Sequence, residues 1–182
     1  MKTRHNVGFH IVQSLAKKLQ FGFKYAAFLS GEIAPVEIRG KKAILLLPTT
    51  YMNLSGEAVR RCVDYFKVAL DHLIVVCDDV ALPLGTMRIR SKGSPGGHNG
   101  LKNIEAHLGT EDYARLRIGI SAPGEENLSE YVLDRFSQEE MEKVEEVTIK
   151  AIEALELWIA AGIVMAMQIA NVQKGEKEKE NG

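Results

Sequence analysis

Val7, Ile11, Leu15 and Leu19 recur every four residues, with Val12 widening the stripe, and this spacing predicts an amphipathic helix of about four turns docked on a core. The polar run Thr3-Arg-His-Asn6 just before it suits an N-cap, which places His5 at the helix entrance rather than within its apolar face. From residue 25 to 48 the pattern becomes strand-like, with Gly31 and Arg39-Gly-Lys-Lys42 as turn signals. Ala43-Ile-Leu-Leu-Leu47 is a continuous apolar run, as expected of a strand covered on both faces. Ala58, Val59, Cys62, Val63 and Phe66 then form a helical stripe, and Leu73-Ile-Val-Val-Cys77 a second buried strand that ends in Asp78-Asp79. Further along come a strand at 86–90, a glycine-rich loop, a helix at 100–108 and an alternating strand at 114–120. Ser137-x-x-Glu140 is a capping box; the helix it opens carries Met141, Val144, Thr148, Ala151, Leu155 and Trp158 on one face and stops near Gly162. The order αββαββαβ with a final helix predicts an α/β fold: a single domain, residues 1–172, with a mixed β-sheet flanked by helices. Residues 173–182 are all polar or glycine, cannot bury apolar area, and are expected to form a disordered tail.

With 182 residues, 46% of them hydrophobic, the chain is long enough for one domain with a real core. It has no apolar run of about 18 residues, the length a membrane span needs, and no apolar segment that reads as a signal peptide, so a soluble, cytoplasmic protein is expected. Cys62 and Cys77 form neither a Cys-x-x-Cys pair nor a disulfide framework and read as small buried hydrophobes. The histidines lack metal-ligand spacing, so no metal site is expected.

Charge changes the picture at one place. The net charge is only −1, yet from Leu84 to Ile104 there is no Asp or Glu while Arg88, Arg90, Lys92 and Lys102 fall inside that window. Such a local field can capture a polyanion without a basic overall composition. Gly93, Gly96, Gly97 and Gly100 let this loop approach a ligand, and His98 and Asn99 stand at the loop-to-helix junction, where exposed N–H groups favour anions. The loop is neither a Walker sequence nor Gly-x-Gly-x-x-Gly. Ligands of open α/β sheets bind beyond the carboxyl ends of strands. Those ends bring forward Asn53, Asp78 and Asn99, and His5 completes an inventory of one histidine, one carboxylate and two amides. That set suits hydrolysis by a water that a histidine activates and a carboxylate supports. Each residue also has a purely structural reading: Asp78 as a strand cap, Asn53 as a turn residue, His5 as a solvated side chain.

Five motifs in order narrow the choice: Thr3-Arg-His-Asn-Val-Gly-Phe9, Pro48-Thr-Thr-Tyr-Met-Asn-Leu-Ser-Gly56, Cys77-Asp-Asp-Val-Ala-Leu-Pro83, Gly93-Ser-Pro-Gly-Gly-His-Asn-Gly100 and Arg115-Leu-Arg-Ile-Gly-Ile120. From about Thr3 to about Asn171 the chain resembles bacterial peptidyl-tRNA hydrolases. The resemblance implies cleavage of the ester that joins a peptide to the 3′ ribose of tRNA. It assigns His5 as general base, Asp78 as its supporting carboxylate, and Tyr51, Asn53 and Asn99 as contacts to peptide and terminal nucleotide. Lys102 and Arg117 then face tRNA phosphates. No metal or organic cofactor is implied, and the partner is peptidyl-tRNA met by a monomer. A non-catalytic RNA-binding module on the same fold is the alternative. The chain departs from the family at its start: members begin with a hydrophobic strand, Gly-Asn-Pro-Gly and an aromatic residue, whereas only Met1 and Lys2 stand before Thr3. The resemblance therefore implies a misplaced start or a truncated chain, with an inner strand, an active-site asparagine and a tyrosine missing and two sheet edges unpaired.

Overall fold

The computed structural model describes residues 3–122 and 127–171; the tail expected at 173–182 lies outside them. A 3-10 turn, Arg4–Asn6, runs directly into helix α1 (Val7–Lys18). The expected side-chain N-cap is absent, because Asn6 Nδ2 donates to Thr3 Oγ1 at 3.0 Å and the helix is entered from a turn that already orders its first N–H groups. Strands β1 (Lys24–Ala26), β2 (Gly31–Ile38) and β3 (Lys41–Pro48) follow, β2 and β3 joined by a two-residue turn in which Arg39 and Gly40 both have positive φ. Then come α2 (Ser55–Phe66), β4 (Ile74–Asp79), β5 (Met87–Arg90), α3 (Asn99–Leu108) and β6 (Ala114–Gly119).

Two helices escape the periodicity reading. The short α4 (Leu128–Leu133) has too few turns to show a stripe, and α6 (Ile163–Ala170) is apolar almost all round, so it has no polar face to set a period. The predicted long helix is α5 (Gln138–Ala161), opened by the Ser137/Glu140 capping box and ended at Gly162. At the end of α6, Asn171 accepts from the Ile89 N–H (2.8 Å) and donates to the Ile89 carbonyl (3.1 Å), covering the outer edge of β5 with a side chain that mimics a strand.

The α/β expectation holds, with helices on both faces, but the strands form two three-stranded sheets rather than one. One is antiparallel, in the order β1-β2-β3; the other is mixed, in the order β4-β6-β5, with β4 and β6 parallel. On one face α1, α5 and α6 bury Val7, Ile11, Leu15, Val144, Ala151 and Leu155 against Leu116, Ile118, Ala34 and Val36. On the other, α2 and α3 bury Val59, Val63, Leu101 and Ile104 with Cys77. Between the edge strands β3 and β4 runs an apolar cleft of about 220 Å³, walled by Ala43–Pro48 on one side and Leu73–Asp78 on the other. His5, Asp78 and His98 line it as well.

Helix α1 holds its place by a close approach that only glycine allows: a methyl group on Gly8 would collide with the Val76 carbonyl of β4. Gly8→Ala is therefore expected to push α1 off β4 and cost about 1–3 kcal/mol, as overpacking does. Thermal unfolding checks this, with a Tm several degrees below wild type as the expected result.

Candidate active site

Asp78 lies near the end of β4, in a chain segment whose hydrophobic run forces the strand into the interior, and it is only 5% exposed. An ionised carboxylate at such a depth must have donors. His5 supplies one from the turn before α1, its Nδ1 standing 2.6 Å from Asp78 Oδ1, and His98 supplies the second, its Nε2 3.1 Å from the same oxygen. The two rings pack against each other with centroids 4.8 Å apart. Burial pushes the Asp78 pKa up, but the hydrogen bonds from His5 and His98 and their electrostatic attraction outweigh it and hold the carboxyl well below the usual range. Asp78 is thus an acceptor throughout the neutral range.

The hydrogen bonds also settle where the protons are. His98 is the N-cap of α3, and its Nδ1 accepts from the Leu101 N–H at 3.2 Å, so in the neutral ring the proton is on Nε2, facing Asp78. In neutral His5 the proton is on Nδ1, again because Asp78 only accepts, and the lone pair falls on Nε2. This is the tautomer a general base needs, with the carboxylate placed to stabilise the imidazolium once a proton arrives.

His5, Asp78 and His98 also satisfy the spacing of a metal cluster, their ligand atoms lying within 4.8 Å of one another. Sequence spacing could not reveal this set, since its members come from three elements. The donor chemistry fits a cation poorly. Using His98 Nε2 as a ligand would move the ring proton to Nδ1, where it would oppose the Leu101 N–H and break the cap of α3. Nor is there a thiolate alternative: burial, followed by the Asp78 charge, pushes the Cys77 thiol up to about 12, and burial pushes Cys62 to about 11.

The anchoring of His5 is as specific as its partners. Arg4 NH1 and NH2 donate to Oε1 and Oε2 of Glu140, both at 2.9 Å, and the guanidinium lies over the rings of Tyr131 (4.5 Å) and Phe136 (4.7 Å). The Arg4 N–H donates to the Asp134 carbonyl at 2.8 Å. The residue next to His5 is therefore fixed to α4 and to the start of α5.

Comparison with known proteins shows the family. The sequence model described as "Peptidyl-tRNA hydrolase" matches residues 1–180. The chain belongs to the peptidyl-tRNA hydrolase family. It is 44% identical over 171 residues to the peptidyl-tRNA hydrolase of Geobacillus kaustophilus, covering 93% of this chain and 91% of that one. It is 46% identical over 185 residues to that of Roseiflexus castenholzii, covering all of this chain and 85% of the relative. Its structure matches the crystal structure of the Acinetobacter baumannii peptidyl-tRNA hydrolase with a TM-score of 0.89 at 32% identity, over 94% of this chain and 87% of that one.

Against that peptidyl-tRNA hydrolase background, the other expected site residues divide. Asn53, in the 3-10 turn Met52–Leu54, and Asn99, the first residue of α3, are exposed, as is Tyr51 at 81%; their chain neighbours Met52, His98 and Gly100 line the cleft. Met52 joins these walls by packing against Gly100. Lys102 points outward one turn into α3. Arg117, expected to face phosphates, has an internal engagement instead: it pairs with Asp79 Oδ2 at 3.1 Å and donates to the Ser94 carbonyl at 2.6 Å. Sequence reasoning placed His98 at the loop-to-helix junction but did not join it to Asp78.

Glu140 gives the site anchor a pH signature. The Arg4 fork is the main cause that lowers its pKa, burial opposes it, and the Ser137 N–H adds to the lowering. A carboxyl depressed on folding stabilises the fold fully above its unfolded pKa and loses that contribution as pH falls through the folded value. Glu140→Gln keeps a capping-box acceptor but removes the ionic fork. The Tm gap between wild type and Glu140→Gln is expected to be widest at neutral pH and to close on acidification below pH about 4, measured by thermal unfolding across pH.

Proposed function

We propose that this chain hydrolyses the ester bond of peptidyl-tRNA, with His5 Nε2 as the general base for the attacking water. The observation that carries this reading is the double hydrogen bond onto Asp78, because it puts the His5 lone pair on Nε2 in a side chain still 16% exposed. Water loses a proton to Nε2 as its oxygen attacks the ester carbonyl, and Asp78 stabilises the imidazolium that forms. The tetrahedral adduct then expels the ribose 3′ oxygen, which takes the proton back from His5, giving free peptide and free tRNA. Asn99 and Asn53 at the mouth supply amide donors for the carbonyl or the terminal nucleotide, with Tyr51 as an exposed aromatic wall. The phosphates of the tRNA meet Lys102 together with the exposed Arg90 and Lys92, the same acid-free window that concentrates positive charge. Arg117 serves this surface through its hold on the glycine-rich loop. The proton transfers use His5, Asp78 and water, and we extend the proposal to an enzyme that needs no metal, acts as a monomer and works in the cytoplasm. No described helix is long and apolar enough to cross a membrane.

Release of free peptide from purified peptidyl-tRNA tests the reading, and tRNA binding measured alongside separates a catalyst from a binder. His5→Ala is expected to lower kcat by at least about a hundredfold with tRNA affinity nearly unchanged; unchanged turnover would remove His5 from the mechanism. Lys102→Ala is expected to weaken tRNA binding and reduce the slope of log K against log salt by about one. An identical slope would place Lys102 outside the interface.

A further inference from the structure

Strand β6 is the middle strand of its sheet, and its residues alternate: Leu116 and Ile118 face the α1/α5 core while Arg115 and Arg117 share the opposite face. Arg115 is 1% exposed, among the largest fully buried side chains. A guanidinium is charged at every physiological pH, so burying one needs compensation, ordinarily a carboxylate. Here, among the described residues, no carboxylate pairs with it. Its NH1 donates to the carbonyls of Gly93 and of Ser94 (3.1 Å), its NH2 to that of Glu111 (2.9 Å), and its plane rests 4.4 Å from the centre of the Tyr113 ring. Nε is buried with no partner among the described residues. As a stability device this is a poor arrangement; as a grip on a particular piece of backbone it is specific.

That piece is the start of the glycine-rich loop. Gly93 has φ +144°, a conformation side chains avoid, and Arg117 adds a donor to the Ser94 carbonyl. Only Pro95, Gly96 and Gly97 separate this grip from His98, and the His98 N–H bonds back to the Pro95 carbonyl at 3.1 Å. The chain from the grip to the Asp78–His98 hydrogen bond is therefore short and turned, with little slack.

We propose that Arg115 is a positioning residue for the hydrolysis proposed above, acting through the Gly93–Ser94 carbonyls to fix His98 and Asn99 over the cleft. It touches neither substrate nor water. The inference rests on the hydrolase reading and adds to it a requirement for the forked guanidinium: NH1 holds the Gly93 and Ser94 carbonyls while NH2 is tied to the Glu111 carbonyl, and an ammonium at the same place keeps the charge but cannot reproduce that planar fork.

The experiment compares wild type, Arg115→Lys and Gly93→Ala, the last approaching the grip from the loop side should the first fold badly. Each is measured for Tm, for kcat and KM on peptidyl-tRNA, and for hydrogen exchange at the amides of residues 96–101. The expected result is a fall in kcat/KM of about tenfold to a hundredfold, as misplacement of a site by an ångström produces. Faster exchange confined to those amides and a Tm close to wild type accompany it. A fall in activity that merely tracks the unfolded fraction overturns the inference, as does a folded Arg115→Lys with wild-type kcat/KM and wild-type exchange. Wild-type protein that releases no peptide defeats the hydrolase reading instead, and the exchange measurement then still decides whether Arg115 holds the loop.

Discussion

Everything at the site depends on keeping one carboxylate ionised in the interior. Asp78 can remain charged at 5% exposure only because two histidines from distant parts of the chain donate to it, and each of those histidines is oriented only because Asp78 accepts. The turn before α1, the end of β4 and the cap of α3 therefore lock one another. Taking away the acceptor would release two rings, not one. His98 makes the lock directional, since its other nitrogen is already the cap of α3, and the proton pattern runs without ambiguity from the Leu101 amide to the His5 lone pair.

Arginines hold the periphery of this lock. Arg4 fixes the turn that carries His5 through a bidentate pair and two aromatic faces, and Arg115 and Arg117 reach from β6 to the loop that carries His98. The partners differ in kind. Glu140 neutralises Arg4, whereas Arg115 meets carbonyls and the Tyr113 ring. The basic character of the window from Leu84 to Ile104 is thus reinforced from beneath by a buried cation, while the positive charge available to a polyanion is carried by the exposed Arg90, Lys92 and Lys102.

Much of this was legible in the sequence, for reasons that also mark the limit. The four-residue recurrence from Val7 to Leu19 and the Ser137/Glu140 box are local signals, and both appear in the fold as read. His5 and Asp78 were nameable because ordered motifs carried them. The division into two sheets was not, since apolar periodicity identifies a strand but says nothing of its neighbours. Helix α6 was missed because a helix apolar on nearly every side has no stripe. The hydrogen bonds of His98 and Arg117 were hidden for a related reason: a loop and the strands it meets, 20 or more residues away, show their mutual contacts only after folding has brought them together. The family resemblance placed Arg117 toward phosphates, and its pairing with Asp79 is a contact that a motif match does not display.

The Arg4–Glu140 pair has a consequence for the order of events during synthesis. Its members are separated by 136 positions, and the His5–Asp78 pair by 73, so the turn that carries His5 is anchored by segments synthesised well after it. Loop closure over such spans comes after local helices and hairpins have formed. Until α5 has been made, the turn that carries His5 has no completed seat.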